Sequence, residues 1–371
     1  IKGNFNMIKK ILKYTKNLIL LALSLAGIYL FNLFFMKPYS IDHFLGKELV
    51  LGLVDSPEAM TYIGIFDRFN WLTRHNSKLS IPEKDDQENS IKQYEQVIKT
   101  LYKYEDSSLS EVQKNTKKIA IFDAENNLKQ VKEFPHHDYP LNQIGGIHLN
   151  TIEFLSDMHP IRNESEAKDF IKRVNLIKKL YTGVLADLEE QADAGIFPPE
   201  FVYDHVINQL SDFINYNYDE HPLYTQFLRK VKELNLSIEK EKLYEEQIKI
   251  AINESVTPGF KILRDFMMQT KQYANKNHGI WSQPNGDEYY KLRIRSYTTT
   301  DYSPEEIHQM GLEEVDRISS RMREILTELG YDKNKTVGEL MNELNENPEF
   351  LYEDTPDRKQ IVVNDYTEMM H

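Results

Sequence analysis

The sequence predicts a nearly all-α protein: one apolar transmembrane or signal helix near the N-terminus, then a large multi-helix domain. Three observations carry this prediction. Apolar residues recur at steps of three and four in one segment after another, the spacing of a single helix face. Helix start and stop signals bracket those segments, with Ser303, Pro304 and Glu306 at one opening and Gly195 and Gly330 at two ends. Two-residue alternation, the mark of a half-buried strand, is nearly missing. Ten or so helices around one elongated core are expected.

The elements follow in order. Residues 1–6 precede Met7 and read as upstream residues. From Met7, Lys9, Lys10, Lys13 and Lys16 form a charged stretch, and an apolar run follows from Leu18 to Met36. That run is broken only by Ser24, Gly27 and Asn32, and at about 1.5 Å per residue it spans a hydrocarbon core. Residues 7–36 therefore read as a signal anchor, with the lysine-bearing end cytoplasmic and the rest of the chain periplasmic or extracellular. The competing reading is a signal peptide cleaved near Ser24-Leu25-Ala26, with secretion of the remainder. Residues 37–55 read as a linker and 56–371 as one helical domain, cut short at its C-terminal end.

Within that domain Ser56-Pro57-Glu58 starts a helix, and Ile91, Tyr94, Val97, Ile98 and Leu101 line the face of another. Residues 112–131 are amphipathic. Residues 134–149 are rich in turn formers and imidazoles, and read as a cleft-lining loop or a plain helix connector. Asn163 and Glu166 make a capping box for one long helix to Ala194, stopped by Gly195. Helices then start at Glu200, Pro222, Ser237 and Pro258, and later near Thr336 and Pro356, the last still running at His371. Tyr290-Leu292-Ile294 is the best strand candidate, but Asp287 and Glu288 just after a turn suit a helix start better.

Composition bounds function. Apolar residues make up 40% and charged ones 28%, with 22 Tyr and 18 Phe, which is globular rather than disordered. The net charge is −13, and the first 36 residues hold five lysines and no acid. The remainder is strongly acidic, which argues against nucleic acid as a partner. There is no cysteine, so disulfides, thiolate chemistry, Cys-based metal sites and a lipid-bearing cysteine are all excluded within these residues.

The stretch 279–330 organises the domain. It runs from Gly279 and Trp281 through Pro284, Gly286, Tyr289 and Tyr290 to Thr298-Thr299-Thr300-Asp301, Ser303 to His308, and Gly311-Leu312. Ile307, Val315, Ile318, Met322, Ile325 and Leu329 form one apolar stripe, with Gly311 placed to let another helix approach closely. Taken together these motifs resemble the domain-of-unknown-function 885 family, whose members are identified as gluzincin-like zinc peptidases. Fainter echoes lie at Ser56-Pro57-Glu58 with Gly64, at His137-Asp138-Tyr139-Pro140, and at Gly195 to Pro199. The resemblance covers about residues 45 to 371 and matches the N-terminal part of such a protein.

A zinc peptidase helix needs two histidines one turn apart, with a glutamate beside the first as general base. None of the eleven histidines here is followed by glutamate. No cofactor is expected in this chain. By resemblance, zinc belongs to the full-length protein, held by residues past 371. No catalytic or metal residue is assigned here. The substrate-cleft candidates are Tyr289, Tyr290, Arg293 and His308. Tyrosine can donate to a developing oxyanion and arginine can hold a peptide carboxylate. The resemblance implies the helical part of an exported, membrane-tethered zinc peptidase, with a peptide substrate and membrane contact through residues 18–36. The alternative is a non-enzymatic helical binding domain at the cell envelope.

Overall fold

The computed structural model describes residues 2–370, with side chains from Leu12 onward. Ile1 and His371, and with His371 the reading that the last helix continues through it, lie outside the described residues. The fold is all-α. The strand-like pairing among the described residues is one parallel bridge between Pro199 and Asn275.

Two compact units divide the chain, Ile1–Ser296 and Tyr297–His371. The first contains α1 (Lys2–Phe35), α2 (Ile41–Asp55), α3 (Pro57–Ile63), α4 (Asn70–Thr73), α5 (Asp86–Leu101), α6 (Glu111–Glu133) and α7 (Ile147–Glu153). It continues with α8 (Glu164–Val174), α9 (Ile177–Asp193), α10 (Glu200–Asn215), α11 (Pro222–Lys232), α12 (Ile238–Ala251), α13 (Thr257–Thr270) and most of α14 (Gly286–Thr298). The second holds α15 (Pro304–Glu328), α16 (Val337–Glu346) and α17 (Arg358–Met369).

The main core is built by α8 to α13. Phe170 stacks on Phe227 with ring centroids 4.9 Å apart, and Tyr181 meets Phe260 edge-on at 5.3 Å. Each such fully buried aromatic contributes roughly 1.5–3 kcal/mol through apolar burial. Gly259 makes the α9–α13 approach possible: a Cβ there would sit 3.0 Å from the Tyr181 ring and 3.3 Å from the Lys178 backbone. A smaller cluster joins Ile41 and Phe44 of α2 to Leu101 at the end of α5 and Tyr104 just beyond it. A third consists of Phe134, Tyr289 and Leu292.

Several local expectations need correction. The 37–55 segment is not an open linker, because α2 occupies Ile41–Asp55 and Ser40 caps it by accepting from the His43 amide. The single helix expected from Asn163 to Ala194 is two, α8 and α9, broken at Asn175-Leu176. Asn175 turns its side chain back onto the Ile171 carbonyl, 2.9 Å away, and the break lets each half bury its own face. The helices starting near Ser237 and Pro258 run together through a π-helical turn, Ile252–Val256. The segment from Gly286 to Thr298, by contrast, is the helix that Asp287 and Glu288 favoured over a strand.

In the second unit Ser303 and Glu306 form the expected capping box of α15. Gly330, at φ +91°, ends it in a Schellman turn: the Gly330 amide donates to Thr327 and the Tyr331 amide to Leu326. The expected buried stripe is not buried. Val315, Ile318, Ile325 and Leu329 are exposed, and a Cβ at Gly311 would meet no atom within 4 Å. Leu326 is the α15 residue buried, and Leu340 of α16 is buried likewise. Periodicity placed the apolar face correctly in sequence, but no described side chain covers it.

Candidate functional site

The candidate site is the place where the imidazole-rich loop 134–149 meets the turn into α14. Gly279 and Gly286 make that turn. The Trp281 ring lies on Gly279, where a Cβ would overlap it, and a Cβ at Gly286 would sit 2.0 Å from the Ile280 carbonyl oxygen. Only glycine fits at Gly286, where the clash is with backbone; at Gly279 a side chain would displace the exposed Trp281 ring. Asp287 and Glu288 then occupy the first turn of α14, where carboxylates favour the helix dipole.

Side chains lock α14 to the loop. The Tyr289 hydroxyl donates to Asp138 Oδ1 at 2.6 Å, and Gln130 Nε2 donates to Asp138 Oδ2 at 2.8 Å. Both carboxylate oxygens are therefore engaged. His137 Nε2 lies 2.7 Å from the Pro284 carbonyl, so it carries the proton, and Nδ1 is buried without a partner. Gln191 Nε2 donates to the carbonyls of His136 and Asp138 at 2.6 and 2.8 Å. Gln283 Nε2 donates to the Tyr139 hydroxyl, whose pKa is raised by burial. The rings of Phe134, His137 and Tyr289 pack with centroids 4.9–5.4 Å apart.

This arrangement is a clasp. Tyr289, 2% exposed, points into it rather than into open space. Arg293 is half-buried and carries its guanidinium 6.0 Å above the Tyr289 ring. Tyr290 is exposed on the same helix. His308 is exposed in the first turns of α15, in the other compact unit. The structure thus brings together Tyr289 and Arg293 of the four sequence candidates, and Asp138 joins them from the loop.

An open groove of 730 Å³ lies elsewhere on the first unit, between the 78–82 segment and α9. Lys78, Lys179, Asp55, Asp86 and Asp187 supply its charges, and Leu79, Ile81 and Leu176 its apolar floor. Pro82 rides on Gly183, where a Cβ would come within 2.9 Å of the proline carbonyl. Partial burial, with the nearby carboxylates of Glu190 and Asp86, pushes the Asp187 carboxyl above its usual range. Sequence reasoning did not single out this groove. Its residues come from three separated segments, and Pro57 alone of them belongs to a motif read in the sequence.

A buried polar hub was missed as well. Arg173 of α8 is fully buried. Its Nε donates to the Lys78 carbonyl at 2.6 Å, and Nη2 donates to Thr61 Oγ1 at 2.9 Å and the His75 carbonyl at 2.7 Å. The guanidinium lies 4.9 Å from the Phe154 ring centroid. Burial lowers its pKa to about 10. The available signal was an arginine three residues after Phe170, on the apolar face of its own helix.

Among the described residues no group of three or more His, Asp or Glu side chains is placed to hold a metal ion. His136-His137-Asp138 diverge: His137 and Asp138 are spent on Pro284, Tyr289 and Gln130. The side chains present do not fit a zinc site.

Comparison with known proteins agrees with the motif reading. A family model described as "Bacterial protein of unknown function (DUF885)" matches residues 57–371. The chain belongs to the DUF885 family. No curated protein matches it. Among solved structures it is similar to one named "putative lipoprotein" from Colwellia psychrerythraea, at 24% identity and a TM-score of 0.71. That match covers 86% of this chain and 57% of the other. A second, named "putative lipoprotein of unknown function" from Shewanella oneidensis, is 14% identical with a TM-score of 0.50, over 73% of this chain and 48% of the other. These likenesses show a shared fold. The DUF885 chain described here spans less than two thirds of the length of either structure.

Proposed function

We propose that this chain is the helical, membrane-tethered part of an exported zinc-dependent peptidase, and that polypeptide beyond residue 371 supplies the metal site. The observation that carries this reading is the DUF885 match over residues 57–371, the family to which the sequence motifs pointed. Its span of 57% of the Colwellia protein is consistent with a protein that continues. The described residues offer no zinc site, so they act in binding and positioning. The Asp138–Tyr289 clasp stiffens one wall, from which Tyr290 and Arg293 reach a peptide. The groove beside α9, with cations and carboxylates both present, suits the backbone and ends of an extended peptide.

The envelope location rests on α1. Leu12–Phe35 is 24 residues long and apolar enough to cross a membrane, and about 36 Å at 1.5 Å per residue exceeds a hydrocarbon core. The apolar length favours an uncleaved anchor over a signal peptide, whose apolar region is about 7–15 residues. This helix does the tethering. A protease-accessibility assay on spheroplasts reads the topology: cleavage of the helical domain from outside is expected, and full protection would overturn it.

The peptidase reading is tested on the longest native polypeptide purified from membranes. One zinc per chain, and peptide hydrolysis abolished by chelation, are expected. A native protein without zinc or hydrolysis would leave the helical binding module.

A further inference from the structure

We infer that residues 49–72 form a second membrane-contacting surface, resting on the lipid headgroups beside the anchor helix. The inference builds on the anchoring role of α1 proposed above. Its first ground is the join between α1 and the helical domain, which is clamped rather than loose. Asn32, near the end of α1, donates from Nδ2 to the Lys37 carbonyl at 2.9 Å and accepts from the Tyr39 amide at 3.0 Å. The Tyr29 ring of α1 meets His43 of α2 edge-on at 5.4 Å. Lys37 Nζ donates to the Lys103 carbonyl at 2.9 Å, and the Tyr104 hydroxyl to the Pro38 carbonyl at 2.8 Å. A span ending at Phe35 with so short and fixed a connection holds the following helices against the bilayer surface.

The second ground is what those helices expose. Ile41 and Phe44 bury one face of α2, yet Leu49 and Val54 on the same helix are exposed. A helix apolar beyond its packed face needs a further apolar or interfacial neighbour. The next segment exposes Ile65, Phe69, Trp71 and Leu72, with Trp71 75% exposed. Four large apolar side chains within eight residues are unusual on a water-facing surface, and tryptophan favours the membrane interface.

The third ground is charge. Two of the three acids of this segment are engaged by protein groups: Glu58 accepts from the Ser80 amide and hydroxyl at 2.7 and 2.6 Å, and Asp67 pairs with Arg162 at 2.5 Å, while Asp55 is exposed at the end of α2. Arg68 and Arg74 are exposed on either side of Trp71. Basic residues beside an apolar, tryptophan-bearing surface complement anionic lipid.

The test uses the full chain carrying Trp281→Phe, which leaves Trp71 as its single tryptophan. It is reconstituted into phosphatidylcholine–phosphatidylglycerol vesicles with and without brominated acyl chains. Loss of most Trp71 emission to brominated lipid, with shielding from aqueous acrylamide, is expected. Arg68→Glu with Arg74→Glu should restore emission in these anionic vesicles. If the chain floats with the vesicles but Trp71 is quenched by acrylamide and not by bromine, the surface inference fails and the anchor stands. Trp71 shielded from both quenchers means that protein covers it, which also overturns the inference. A chain that does not float with the vesicles overturns the anchor and this surface together.

Discussion

Arg173 donates from Nη1 to Nδ1 of His159 across 2.9 Å, with both side chains fully buried. Arginine has no acceptor, so His159 must keep Nδ1 bare and carry its proton on Nε2, which faces the Glu166 carbonyl at 3.3 Å. The contact therefore requires a neutral histidine. Burial, followed by the adjacent guanidinium, holds its pKa well below the usual value.

Replacing Arg173 by Met should destabilise the protein by roughly 3–5 kcal/mol, because the Lys78 and His75 carbonyls and Thr61 lose their donor in a buried setting. Arg173→Lys should recover only part of this, since one ammonium cannot span groups that a planar guanidinium reaches together. Urea unfolding of the detergent-solubilised chain measures both. A Met variant as stable as the parent would remove the hub from the stability argument.

Stability should fall as pH drops below about 6.5. His75, His148, His159 and His221 all have folded pKa values below the usual one, chiefly through burial. The unfolded chain takes up protons near pH 6.5 while the folded chain resists, so each such histidine costs about 1.4 kcal/mol per pH unit until its folded pKa is reached. For His221 that window runs down to about 4. Above about 6.5 these groups add no slope. Its Nδ1 also caps α11 by accepting from the Leu223 amide, so His221→Asn keeps a cap while removing the titration. The acid limb of unfolding free energy against pH should then be shallower, and an unchanged limb would assign the slope to other groups.

Tyr289→Phe removes the donor to Asp138, an exposed carboxylate that water can then solvate. A loss of about 0.5–1.5 kcal/mol is expected, the net value of an ordinary hydrogen bond. Hydrogen exchange should report faster opening of α14 than of α8 to α13. Uniform loosening of both would show that the clasp is part of the main core.

Two glycines should respond oppositely to alanine. At Gly286 the new Cβ collides with the Ile280 carbonyl, so a loss of roughly 1–3 kcal/mol is expected from forced backbone movement. At Gly311 it meets open space, so alanine should stabilise α15 by about 1 kcal/mol through helix propensity. Gly311→Leu, which a buried stripe would forbid, should likewise be tolerated. Thermal melts of the three variants decide, and a destabilised Gly311→Leu would mean that a neighbour covers this face in solution.

After dialysis against a weak chelator, the 371-residue chain should retain no stoichiometric zinc, and added zinc should not raise its melting temperature. Elemental analysis and a melt suffice. One tightly held zinc per chain would place a metal site among residues whose hydrogen bonds now occupy them.

Local chemistry was legible in the sequence wherever the cause is local. Helix caps at Ser56, Asn163, Ser237, Ser303 and Thr336 stand, because a cap is decided by one side chain and an amide two or three residues on, but at Asn163 the reciprocal half of the box is missing, since the Glu166 carboxylate accepts from the Arg162 amide instead. The apolar N-terminal helix and the helical class follow from spacing and composition in the same way. Burial is different, since it depends on what arrives from elsewhere in the chain. Val315 and Ile318 carry the pattern of a core face and stand in water, while Arg173 carries a charge and lies at 0% exposure. Tyr289 was read as a cleft residue, and its hydroxyl is bound to Asp138, 151 positions away. Residue spacing determined which side chains share a helix face. Only the tertiary structure decided which of those faces is covered and which polar atoms find partners, because both depend on contacts between segments distant in sequence.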